Sequence, residues 1–238
     1  MHNIYTLFKR ELKGYFNSAI AYICITVFLV TVNWMFFRVF FFEGQAHLRN
    51  FFSLIPWVFL FFVPAVTMRL WAEEKKSGTF EVLMTLPVKD YEVVLGKYLA
   101  SYLFLLITLA LTGGIPITLA YLGNPDWGPV IGGYLGLLLM GGVYLAIGIF
   151  CSSLTQNQIV AFIVSVACSF ILFILGENLV LFAVADFLVP FFQYLGLNRH
   201  FASIARGVID SRDIIYYVSV ITFFLYLNIR SLESRKWR

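Results

Sequence analysis

Six long apolar runs separated by short polar stretches dominate the chain, at about 20–42, 51–70, 93–122, 130–152, 159–175 and 214–232. A helix rises about 1.5 Å per residue and a hydrocarbon layer is about 30 Å thick, so these runs predict membrane-crossing helices. A seventh apolar stretch, 179–195, is interrupted by Asp186 and Pro190. Counting it as a crossing would put Arg230, Arg235, Lys236 and Arg238 opposite Lys9, Arg10 and Lys13. That runs against the cytoplasmic bias of basic residues, so 179–208 is read as a re-entrant or external segment. The expectation is an all-α integral membrane protein forming one domain over 1–238, with six spans and both termini cytoplasmic. Twelve of the seventeen Lys and Arg then lie inside.

Residues 3–17 alternate differently. Ile4, Leu7, Phe8, Leu12, Tyr15 and Phe16 form one helical stripe, with Lys9, Arg10 and Lys13 on the other face. This predicts an amphipathic helix in the headgroup layer. Glu11 falls on the apolar side and needs a partner: a local contact such as Arg10, or a basic residue of the 69–97 segment. Within the spans, Pro56 and Pro64 predict a kink, and Gly113, Gly114 and Pro116 a break. Gly132 and Gly136 permit close helix approach, within one subunit or between two. Asp210–Asp213 caps the last run.

The one long charged stretch, Arg69 to Lys97, separates the second and third runs. Gly78 permits a tight turn, with the Ser77 and Thr79 hydroxyls beside it. Phe80, Val82, Leu83 and Leu86 then recur at helical spacing opposite Thr79, Glu81 and Thr85. Pro87 lacks a backbone N–H and ends the pattern. A two-turn amphipathic helix over 79–86 results, a knob outside the membrane on which a soluble motor can push.

Composition agrees with a membrane protein: 61% of residues are hydrophobic, 13% charged, and the mean hydropathy is +0.85. The net charge of +4 reports topology rather than nucleic-acid binding. Cys24, Cys151 and Cys168 stand singly and suggest neither a disulfide framework nor a metal site. The first apolar run is too late and too long for a cleavable signal peptide. The sequence holds no GxxxxGK[ST], GxSxG or HExxH motif, so the chain is not expected to be an enzyme. With no charge clearly at a bilayer midplane, a proton- or sodium-driven carrier is disfavoured.

The segment from Glu73-Glu74-Lys75-Lys76-Ser77-Gly78-Thr79-Phe80-Glu81 through Val82-Leu83-Met84-Thr85-Leu86-Pro87, followed by Leu95-Gly96-Lys97, resembles the signature of ABC-2 type export permeases. The resemblance extends to the N-terminal interface helix, the six spans and the broken hairpin before the last span. Gliding-motility-type and nitrous-oxide-reductase-maturation-type permeases are the most similar subgroups, and the compact length favours the first. The resemblance implies a multi-pass subunit of the bacterial cytoplasmic (inner) membrane. It implies a dimer with a second copy or a related permease, and two copies of a separate ATPase that binds ATP and magnesium. No cofactor is implied in this chain.

It also implies a coupling helix at 79–86. Phe80, Val82, Leu83 and Met84 would pack on the ATPase, and Glu73, Glu74 and Glu81 would pair with it or with the interface helix, between the bounds set by Gly78, Thr79 and Pro87. The functional reading is ATP-driven export. The alternative is a non-transporting anchor that transmits force to a periplasmic partner. On the outside, Glu177, Asp186, Arg199, His200 and Arg206 either gate release or contact an auxiliary subunit, or are rim charges with no special role.

Overall fold

The computed structural model describes residues 2–43, 48–85, 87–123, 125–182 and 185–234. Among these the fold is entirely helical. Helix α1 spans His2–Phe16, α2 Ala19–Glu43, α3 Arg49–Thr67, α4 Arg69–Lys76 and α5 Thr79–Thr85. Next come α6 Asp90–Ala110, a 3₁₀ turn Leu111–Gly113, and α7 Gly114–Leu122. The chain continues through α8 Trp127–Leu154, α9 Gln158–Ile174, α10 Asn178–Leu181, α11 Val189–Leu195, α12 Leu197–Ile204 and α13 Ser211–Glu233. The predicted helix end at Leu86 and the basic tail Arg235, Lys236 and Arg238 lie outside the described residues, as do the side chain of Met84 and residues 183–184 of the predicted hairpin.

Among the described residues, five stretches are long and apolar enough to cross a membrane: Ala19–Phe40, Arg49–Lys76, Asp90–Leu122, Trp127–Leu154 and Ser211–Glu233. The fifth run of the sequence forms a shorter apolar helix, Gln158–Ile174. It still lies along the bundle, with Ser165 near Gly148 of α8 and Phe173 against Trp57 of α3. The 179–208 stretch breaks into the three short helices α10, α11 and α12, none of spanning length.

The second run differs most from its prediction. Its helix passes through Pro56 and Pro64, breaks at Met68, and resumes through the charged residues to Lys76 as α4. A hydroxyl from another helix fills the break. Ser152 Oγ donates to the Met68 carbonyl at 2.8 Å and accepts the amides of Trp71 and Ala72, both at 3.1 Å. Backbone groups freed by a kink in an apolar layer must find such partners.

Helix α8 is the axis of the bundle, with α3, α6, α9, α12 and α13 around it. Its glycines set the spacing, since association in lipid depends on close packing rather than on hydrophobic expulsion. A Cβ at Gly148 would sit 2.0 Å from Thr67 Oγ1, and one at Gly141 would sit 2.5 Å from Leu105. The predicted small-residue pair, Gly132 and Gly136, faces the Ile204 carbonyl and the Phe201 ring of α12 within the same chain.

One end of the bundle, here the near end, carries α1, α4, α5, the start of α6 and the last turns of α8 and α13. The far end carries α10–α12, the start of α3 and the loop before α8.

Candidate functional site

At the near end the chain leaves α4 through Gly78, whose φ of +74° lies in the left-handed region that glycine adopts without strain. Thr79 Oγ1 and Ser77 Oγ lie 2.8 Å apart, and both hydroxyls donate to the Glu74 carbonyl. This turn redirects the chain between α4 and α5. Seven residues at helical spacing give α5 two faces. Phe80 and Leu83 turn inward: Leu83 is only 3% exposed, and Phe80 sits edge-on to Trp71 with the Lys75 ammonium 5.4 Å above its ring. Both side chains thus hold α5 to its own chain, Leu83 buried and Phe80 half-buried. Thr79, Glu81, Val82 and Thr85 form the open face, with Val82 65% exposed, and Pro87 follows in an exposed bend.

Beneath α5 lies a four-charge cluster centred on Lys97 of α6, which is 1% exposed. Its ammonium donates to Glu74 Oε1 at 2.7 Å, Glu11 Oε1 at 3.1 Å and the Leu70 carbonyl at 3.1 Å. It also lies 4.8 Å from the centroid of the Trp71 ring. Arg10 reaches the same two carboxylate oxygens, at 2.8 Å on Glu11 and 3.3 Å on Glu74. Two cations and two anions thus tie α1, α4 and α6 together with no net charge. Both partners considered for Glu11 are present, the local one and the one from the charged segment. Burial pushes the Glu11 carboxyl up, but Lys97 and Arg10 together outweigh it and hold the group below its ordinary value of 4.5.

Gly96 makes this reach possible. A Cβ there would lie 2.9 Å from Leu7 Cβ, so a larger residue would lift α1 away from Lys97. On α1, Leu7 and Tyr15 are buried, while Lys9, Arg10 and Lys13 stay exposed. Tyr15 stacks on Phe104 and shares a 2.9 Å hydrogen bond with Ser101, and Arg69 donates to Ser18 at 2.9 Å. Between α1 and α4 a cleft of about 430 Å³ opens, lined by Glu11, Arg69, Glu73 and Glu74. Of the acidic residues predicted here, Glu73 and Glu81 are exposed, whereas Glu74 is engaged within the chain.

The far-end residues do not form one group. His200 is buried between two acceptors, Asp213 Oδ1 at 2.7 Å and the Tyr194 carbonyl at 2.8 Å, and stacks on Tyr216. Glu177 accepts a hydrogen bond from Asn198, and Asp186 is exposed. Arg199 and Arg206 line a separate cavity.

Sequence reasoning held Lys97 only among the basic residues of the 69–97 segment that could meet Glu11, read Asp213 only as part of a helix cap, and gave Trp71 and Ser152 no role. One signal for Lys97 was available: an acid on the apolar face of α1 requires a buried cation opposite.

A family model described as "ABC-2 family transporter protein" matches residues 5–198. No curated protein matches the sequence.

Proposed function

The chain belongs to the ABC-2 family of transporters, and from that premise we propose that it is the membrane half of an ATP-driven exporter whose coupling element is α5. Membership makes it a multi-pass membrane permease subunit of an ABC transporter that works with an ABC ATPase subunit. The further assignments are ours. Two ATPase copies serve two permease chains, a pair of this one or this one with a related permease. The near end faces the cytoplasm of a bacterium, α9 is the sixth crossing of the inner membrane, and both termini are inside.

The observation that carries this reading is the division of labour in α5. Its inner face packs on the chain, and its outer face leaves Glu81 and Val82 exposed. A helix that only closed a loop would need no such rigid seat. The Lys97 cluster and the inward Phe80 and Leu83 couple any push on α5 to α1, α4 and α6 together. Closure of the ATPase would then tilt helices as bodies rather than bend one loop. Glu73, exposed on the wall of the cleft beside α1, would pair with a basic side chain of the ATPase.

The test is reversal of charge at Glu81. Glu81→Arg should abolish co-purification with the ATPase and stimulation of its turnover, while the unfolding midpoint of the purified permease stays unchanged, since the residue is exposed. Full ATPase association by Glu81→Arg and by Val82→Asp would remove α5 from the mechanism. Export is tested separately: nucleotide-dependent movement of a substrate in proteoliposomes supports it, and stimulation with no movement under any substrate points to a force-transmitting anchor.

A further inference from the structure

A cavity of about 1140 Å³ opens at the far end between α3, the start of α8, and α12. Its polar mouth holds Arg49 from the first turn of α3, Arg199 from α12 and Arg206 just beyond it. All three are exposed, and among the described residues none has a carboxylate partner; Arg206 donates only to the Ala202 carbonyl through Nε. Asp126 is the acidic residue on the lining, and its Oδ1 already accepts the Gly128 amide. The deeper wall is apolar, with Phe52 and Phe201 buried and Trp57 half exposed. Trp57 is eight residues along α3 from Arg49, which places it about 12 Å further into the apolar layer.

The arginines are conspicuous for where they are. Five basic residues lie at or toward the far end, namely Arg38, Arg49, Arg199, Arg206 and Arg212, and every one is arginine, whereas all the lysines lie at the other end or in the tail. Positive charge merely needed for solubility is served by either residue. Guanidinium groups are selected where a planar fork must grip a carboxylate or phosphate. Three such forks over an apolar wall match a molecule with an anionic head and a hydrocarbon body. The volume is ample for such a ligand.

We propose that this cavity is a binding site for an anionic amphiphile, its phosphate-class head held by Arg49, Arg199 and Arg206 and its chain lying along Phe52 and Trp57. The site stands apart from the exporter reading, because binding requires neither ATPase nor nucleotide.

The experiment uses the full-length chain in uncharged detergent, with bound lipid counted by native mass spectrometry. Phosphatidylglycerol should bind at least about tenfold tighter than phosphatidylcholine of the same chains, and the triple variant Arg49→Gln, Arg199→Gln, Arg206→Gln should erase that ratio. Arg212→Gln, an exposed arginine at the same end outside the cavity, should leave it intact. Should the triple variant not yield monodisperse protein, the three single variants answer the question, each lowering the ratio about threefold. Glycerol 1-phosphate, the head without a chain, should compete at least about a hundredfold more weakly, and Trp57→Ala should weaken lipid binding without changing the head-group preference. Equal binding of the two lipids, or a preference that survives loss of all three arginines, overturns the proposal. Competition by glycerol 1-phosphate at the lipid's own concentration overturns the amphiphile and leaves only a site for soluble phosphates.

Discussion

Replacement of Lys97 by methionine is the sharpest test of how the near end holds together. Methionine keeps the length and the apolar stem but removes the charge, so Glu11 and Glu74 are left side by side with only Arg10 between them. Their side chains are 14% and 19% exposed and Lys97 is 1% exposed, so water screens the lost pairing little. One carboxylate oxygen of Glu74 is buried and, among the described residues, has no hydrogen-bond partner even in the intact protein, which leaves no reserve. Removing one member of a buried charge cluster costs about 3–5 kcal/mol, most of it for the stranded opposite charges. Neutralising those charges as well, with Glu11→Gln and Glu74→Gln on the same chain, should recover about 2 kcal/mol or more of that loss. The assay is equilibrium unfolding in mixed micelles of the single, double and triple variants. A loss below about 1 kcal/mol for Lys97→Met, or strict additivity across the set, would refute the cluster as the tie between α1, α4 and α6.

Three further outcomes are expected. Glu11 titrates below 4.5 in the folded chain, so its contribution is complete above that pH and disappears as pH falls through the depressed value; hydrogen exchange of α1, corrected for intrinsic rates, should rise over that acidic window and lose its pH dependence in Glu11→Gln. Gly78→Val forces a β-branched residue to a φ of +74°, costing about 1–2 kcal/mol and re-aiming α5, so ATPase stimulation should fall more than stability does. Gly148→Ala collides with Thr67 Oγ1 and should cost about 1–3 kcal/mol in unfolding, with partial recovery in the Gly148→Ala, Thr67→Ala pair.

The reach of the sequence differs from element to element for physical reasons. Long apolar runs have few alternatives in lipid, so the helices appear close to where hydropathy puts them. Gly78 and Pro87 punctuate α5 through their own backbone chemistry, and α5 begins one residue past the first of them. Which face of α5 is open was not legible. Periodicity reveals that a helix has an apolar side, but not whether that side meets its own chain or another, and Phe80 and Leu83 meet their own. The break at Met68 has no local signal either, because its cause is Ser152, which lies 84 residues further along. Lys97 looks like one more cation near the start of a span until Glu11, 86 residues earlier, is brought beside it. His200 and Asp213 join in the same way across the loop before α13.

The Ser152 hydroxyl has a mechanical corollary. It serves three backbone groups on the two sides of the Met68 break, so the elbow between α3 and α4 is pinned to the last turn of α8. Lys75 adds a second pin on the Ser153 carbonyl, and Ser153 in turn bonds Ser231 of α13. A displacement of α4 that keeps these bonds therefore carries the last turn of α8 with it. It travels as a lever arm into the central post of the bundle, and the glycines that seat that post against its neighbours become the surfaces along which it must slide.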